Sequence, residues 1–283
     1  MARLTGGTPG YNAGMLLSWL RARRRRKLLA EPFPAWWVPH LERNVGHYPR
    51  LSPAEQAVLR DAARVLIAEK RWLGRGGLFV SEEVKVTVAG QAALLLLGGA
   101  RGYFARVRDV VIFPTEFRTP VADDDWEDDF LSDTALAGQA VSGRAALLAW
   151  DEVLNEGRDP DAGYNVVVHE FAHHLDYLDG LSAGAPALGD PARETRWKYV
   201  MTVAFEDHRR AIRDRRETFF TPHAADSPAE FVADATEAFY CRPHNLKDLH
   251  PEMYELLAAY YRVDPTSWQS PAEPDSDWRI EVG

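Results

Sequence analysis

The sequence predicts an α+β fold, mainly helical with a small mixed β-sheet. Three observations carry that reading: several segments repeat apolar residues at helical spacing, two short runs rich in aliphatic and β-branched residues read as strands, and no linker divides the 283 residues. A chain of this length can bury an ample core as one unit. We expect one domain over residues 31–268, a flexible basic segment over 1–30 and a polar tail over 269–283.

The elements follow in order. Residues 1–14 are rich in Gly and small residues and read as irregular. Residues 16–29 carry five arginines and a lysine between apolar ends; this is the pattern of a solvated basic helix, and the charge also suits an anionic-lipid contact or a partner site. Residues 51–72 form a helix with Ser52 as cap, Pro53 at the first helical position, and Ala57, Val58, Val65, Leu66 and Trp72 on one face. A second helix covers 88–97 and ends at Gly98 and Gly99.

Residues 103–113 alternate with β-branched residues and stop at Pro114, which reads as a strand, and residues 145–150 read as another. Between them, 122–130 holds Asp123, Asp124, Asp125, Glu127, Asp128 and Asp129. It lacks the spaced oxygen ligands and glycine of a calcium loop and reads as a solvated acidic loop. From Gly163 onward the pattern is mainly helical: a helix over 164–178, a Gly/Ala/Pro-rich loop over 180–191, then helices over 196–213, 231–240 and 253–261.

Composition narrows the function. A net charge of −9 opposes non-specific binding to nucleic acid, whose phosphates are repelled. The single cysteine, Cys241, allows no internal disulfide and fits a reducing compartment. The basic run follows the short apolar stretch instead of preceding it, unlike a signal peptide. The most apolar window, 92–97, is too short to cross a bilayer, so the expected location is the cytoplasm.

The chemistry is concentrated in VVVHEFAHHLD, residues 166–176, which contains His-Glu-x-x-His. On a helix, residues four apart lie one turn apart on the same face, so His169 and His173 can reach one metal ion. Glu170 stands beside His169, placed to take a proton from water without binding the metal. Val166, Val167, Val168, Phe171, Ala172 and Leu175 make this a buried helix, in which polar residues need partners. His174 is about 100° round from His173 and reads as a core or rim residue.

A catalytic zinc site wants a third protein ligand and one open position. Ser-Pro-Ala-Glu occurs three times, at 52–55, 227–230 and 270–273, and each copy resembles a helix N-terminus. After the second copy, Glu230, Asp234 and Glu237 fall at i, i+4 and i+7 and form one acidic stripe. Spacing alone leaves Glu230 in competition with Asp234, Glu237 and His223 for the ligand position. It also allows Glu230 to fold back onto Ser227 as a capping box.

The segments VTVAGQAALLLLG, AGQAVSGRAALLAWDEVL, NVVVHEFAHHLDYLDG, SPAEFVADATEAFY and HPEMYELLAAYYRVDP occur in that order between about residues 72 and 265. Together they resemble the Mlc titration factor A family of bacterial zinc metallopeptidases. A more distant likeness is to the catalytic domain of anthrax lethal factor. The resemblance implies a zincin-like domain in which His169, His173 and Glu230 hold zinc and Glu170 is the general base.

By the same resemblance, Asp176 and Glu237 orient the ligands, and residues 145–150 form the edge strand along which a peptide or protein substrate pairs. Aminopeptidase-type action and a transcriptional repressor as partner are further implications of the family. One departure matters: seven residues before the glutamate ligand the family places a tyrosine that stabilises the oxyanion, and this chain has His223. A histidine can donate the same hydrogen bond only in the right tautomer or when protonated, and His223 could instead be an exposed loop residue. Two rival readings stand beside the peptidase: a regulatory protein that sequesters the repressor, and a metal-stabilised scaffold without activity.

Overall fold

A computed structural model describes residues 10–99, 102–115, 144–176, 188, 190–269 and 280, without the side chains of 10–17 and 176. The acidic run 122–130, most of the 180–191 loop and the third Ser-Pro-Ala-Glu lie outside the described residues. Three short strands, β1 (Arg71–Gly74), β2 (Asp109–Phe113) and β3 (Ala145–Ala149), form a sheet in the order β1–β2–β3. Among the described residues both pairings are parallel, where the sequence predicts a mixed sheet. Parallel neighbours need long crossovers, and the connection from β1 to β2 supplies one through a helix. Val110, Val111 and Ile112 are all buried, as parallel strands covered on both faces require.

The first helices are α1 (Gly10–Ala30), α2 (Val38–Asn44) and α3 (Pro53–Glu69). Helix α1 begins inside the stretch read as irregular. It is tied to α3 by Arg25, which makes two 2.7 Å hydrogen bonds to Glu69 and lies 4.4 Å over the Tyr103 ring. Helix α3 starts with both halves of a capping box: Ser52 N–H donates to Glu55 Oε2 at 2.8 Å, and Glu55 N–H to Ser52 Oγ at 3.3 Å.

Helix α3 stops short of Trp72, which belongs to β1. The chain turns at Lys70, whose ammonium donates to the carbonyls of Tyr103 (2.8 Å), Phe104 (2.5 Å) and Val107 (3.0 Å). Tyr103 and Phe104 adopt left-handed conformations, with φ of 53° and 49°, and cannot continue a strand. The strand expected over 103–113 therefore begins only at Asp109.

Helix α4 (Glu82–Ala93) starts before the expected residue 88, because Ser81 Oγ accepts from Val84 N–H at 3.3 Å and caps it. Every residue from position 86 to 93 is buried, so the helix has no polar face to betray its start. Two of its buried polar members find partners: the Gln91 amide nitrogen donates to the carbonyls of Asn44 and Val153, and Thr87 Oγ1 accepts from Asn44. Gly90 admits Leu41, whose Cδ2 would lie 2.6 Å from any added Cβ.

Helix α5 (Trp150–Arg158) follows β3 directly, so Trp150 opens a helix and does not end a strand. The remaining helices are α6 (Val166–Asp176), α7 (Pro191–Arg213), α8 (Pro228–Cys241), α9 (Pro243–Leu249) and α10 (Pro251–Tyr261). Helix α7 begins earlier than residue 196 because Asp190 accepts from Ala192 N–H at 2.9 Å and Pro191 takes the first position. Helix α8 presses Phe231, Ala235, Ala238 and Phe239 into the core, each worth about 1–3 kcal/mol of burial, and lies against α6. That packing leaves the acidic stripe of α8 available to α6.

Candidate metal centre

Helix α6 is held at its N-terminus by side chains from three directions. Asn165 caps it, accepting from Val168 N–H at 3.0 Å. Asn165 N–H donates to Glu237 of α8, and Val166 N–H donates to Glu156 of α5 at 2.5 Å. Two carboxylates thus meet the orphan donors and the positive end of the helix dipole. This fixes the depth and rotation of the turn that carries His169.

From that start, one helical turn carries His169 to His173. Their rings stand 5.0 Å apart, edge to face. Nε2 of each lies 3.2 Å from the same atom, Oε2 of Glu230 in the first turn of α8. Ser227 still caps α8, accepting from Glu230 N–H at 3.1 Å, but the Glu230 carboxylate turns across to the histidines. All three side chains are largely buried, with 15%, 19% and 25% of their surface exposed.

This set fits a metal ion. One donor atom from each of His169, His173 and Glu230 lies within 4.8 Å of the others. A tetrahedral ion with ligands at about 2.0–2.2 Å places its donors about 3.3–3.6 Å apart, close to the two 3.2 Å edges. Two imidazoles and a carboxylate leave a fourth position free for water or substrate. On the outer side of the ring, His169 Nδ1 is 3.3 Å from Glu237 Oε2. A carboxylate only accepts, so Nδ1 carries a proton, and a ring that gave up its Nε2 proton to a metal would offer its lone pair there.

The electrostatics show the same coupling. Burial pulls His169 down, but hydrogen bonds to Glu230 and Glu237 outweigh it and raise the imidazole well above its ordinary value. Burial pushes Glu230 up, yet the bonds from His169 and His173 hold its carboxyl well below the usual carboxylate range. The pocket wants positive charge, as protons or as a cation. Burial raises the Glu170 carboxyl above its ordinary value, offset in part by His173 and His169. A carboxylate so raised is a better proton acceptor.

His223 reaches the cluster from the loop before α8. Its Nε2 lies 3.2 Å from Glu230 Oε2, its Nδ1 contacts Asp226 Oδ2 at 2.8 Å, and its ring is stacked 6.4 Å from that of His169. The side chain is 62% exposed, open to an incoming molecule. Thr221 anchors the loop, donating from N–H and Oγ1 to Asp234 at 3.2 and 2.9 Å, while its carbonyl meets His208 Nε2 at 3.0 Å.

The three carboxylates of the α8 stripe therefore have different partners. Glu230 faces the histidines, Asp234 holds Thr221, and Glu237 spans Asn165 and His169. His169, Asp234 and Glu237 also come close enough to form a second metal-capable group. His174 is buried, with its ring against Phe171. The side chain of Asp176 lies outside the described residues. Glu156 carries no sequence motif that marks it, and only the packing of α5 on α6 brings it to Val166.

A family model described as glucose-regulated metallo-peptidase M90 matches residues 19–262, a span that includes every residue of this cluster. An uncharacterized protein of Synechocystis is 28% identical over 244 residues, covering 86% of this chain and 89% of its own. Mlc titration factor A of Edwardsiella ictaluri is 29% identical over 229 residues, covering 76% of this chain and 83% of its own. Mlc titration factor A of Yersinia pestis is 26% identical over 263 residues, covering 88% and 91%.

Proposed function

We propose that this chain, which belongs to the glucose-regulated metallo-peptidase M90 family, is a zinc-dependent peptidase whose zinc ligands are His169, His173 and Glu230. The observation that carries the reading is the convergence of both Nε2 atoms on one oxygen of Glu230, with Glu170 on the same helix. Bound there, zinc supplies Lewis acidity toward water and the scissile carbonyl.

The chain's own residues do the rest. Glu170 takes a proton from the attacking water as its oxygen bonds to the carbonyl carbon, then delivers that proton to the amine nitrogen as the C–N bond breaks. As an imidazolium, with Nδ1–H donating to Asp226, His223 can also donate from Nε2 to the carbonyl oxygen as negative charge develops there. Glu237 orients His169, and Asp176 is given the same kind of role by its position on α6.

A peptide substrate would lie along β3, which stands at the edge of the described sheet, and pair with its backbone. Short peptides and aminopeptidase-type action fit the family resemblance. The test is cleavage of a peptide library by the protein stripped with a chelator and then reloaded with zinc. Activity that disappears and returns supports the reading, and a zinc-loaded protein that cleaves nothing defeats it.

A second reading follows from the name of the relatives, Mlc titration factor A. In this reading the chain binds a transcriptional repressor through its surface, and the metal serves only structure or regulation. Binding of such a partner by His169→Ala, with the fold intact, would support it.

A further inference from the structure

Parallel pairing brings the starts of all three strands to one end of the sheet, and each start is led by an arginine. Arg71 opens β1, Arg108 precedes β2, and Arg144 precedes β3. Helix α1 adds Arg21 and Arg24, three residues apart and so on one face. These side chains, with Lys70, line a cavity of about 660 Å³ that shares no residue with the metal cluster.

Among the described residues the charge in this cavity is not balanced. Its two carboxylates are already committed, Glu69 to Arg25 and Asp109 to Arg71. Among the described residues, no carboxylate pairs with Arg21, Arg24, Arg108 or Arg144. Lys70 adds a fixed ammonium whose hydrogen bonds go to three neutral carbonyls. Among the described residues, four guanidinium groups without a carboxylate partner thus line one cavity of a protein with a net charge of −9.

We propose that this cavity binds a soluble small molecule carrying two or more phosphate groups. Planar guanidinium groups match phosphate oxygens in pairs, and four of them carry twice the charge that one phosphate dianion neutralises. The volume is that of a small-molecule site. A basic surface for a membrane needs no cavity, whereas cations from α1, the end of α3 and three strand starts enclose a compact ligand.

The test is calorimetric titration of the full chain with inorganic pyrophosphate at physiological salt. Saturable binding is expected, weakened about tenfold or more in the pair Arg108→Gln/Arg144→Gln and in the pair Arg21→Gln/Arg24→Gln. The second pair sits on the exposed side of α1, so it guards against a failure to fold in the first. The pair Arg193→Gln/Arg213→Gln on α7 should bind as the wild type does. Absence of saturable binding, equal weakening in the α7 pair, or binding to phosphatidylglycerol vesicles without binding to pyrophosphate would each overturn the proposal. None of these results bears on peptide hydrolysis, since no residue is shared.

Discussion

Glu237 stands 3.3 Å from Nδ1 of His169, on the side of the ring away from Glu230, and its other oxygen accepts from the backbone N–H of Asn165. One carboxylate thus sets both the ring's tautomer and the position of the helix that carries it. Glu237→Ala should weaken metal affinity about 10- to 100-fold, read by competition with a chromophoric chelator. Thermal melting should show a folded protein of lower Tm, because the Asn165 N–H loses its acceptor. Unchanged affinity would remove Glu237 from the site.

Two copies of Ser-Pro-Ala-Glu make opposite predictions. Glu55 returns to Ser52 and also accepts from the Trp268 indole at 3.2 Å, so Glu55→Ala should cost about 1 kcal/mol of stability and leave metal content unchanged. Glu230 leaves its cap to Ser227 alone, so Glu230→Ala should abolish metal retention with little effect on α8. Metal analysis and denaturant titration of both variants test the contrast.

Glu156 predicts a pH dependence. Burial outweighs its bond from Val166 N–H and lifts its carboxyl from 4.5 to about 7. The folded protein therefore holds this proton over a pH range in which the unfolded chain has released it. That contribution to stability is complete below pH 4.5 and is lost as pH rises through about 7. Glu156→Gln keeps an acceptor for Val166 but cannot ionise. The difference in unfolding free energy between variant and wild type should thus move in favour of the variant from about pH 5 to about pH 8. A difference independent of pH would contradict the assignment.

In the proposed reaction His223 touches substrate and is not needed for the metal. His223→Ala should retain metal and lower kcat about 10- to 100-fold with a smaller change in KM, the signature of a group acting in the transition state. His223→Tyr, which restores a hydroxyl donor, should recover part of the rate. Loss of metal in His223→Ala would instead make it a ligand.

How far the sequence reaches depends on the distance over which each feature is encoded. His169, Glu170 and His173 lie within two turns of one helix, so local spacing suffices to bring them together. Glu230 is 61 residues from His169, and spacing alone leaves it level with Asp234, Glu237 and His223; the packing of α8 on α6 separates them. Glu156 belongs to α5, a helix with few apolar positions that starts without a loop after β3, and no local signal connects it to α6.

Among the elements, α3 is legible from its cap. The strand β1 is not, because four residues are too few to display alternation and Trp72 continues the apolar phase of the helix before it. The start of α4 is hidden because residues 86–93 are all buried and show no period, which leaves only the Ser81 cap and the acidic first turn to mark where it begins. The shortening of β2 follows from Lys70 gathering carbonyls around two left-handed residues, a tertiary contact with no sequence signature.

The central claim is that Glu170 moves the proton in a reaction at the cluster of His169, His173 and Glu230. The most direct measurement is metal content together with the rate of peptide cleavage for wild type and Glu170→Gln. Equal metal content and a loss of hydrolysis of about 100-fold or more are expected in the variant. An unchanged rate at full metal content would contradict the claim.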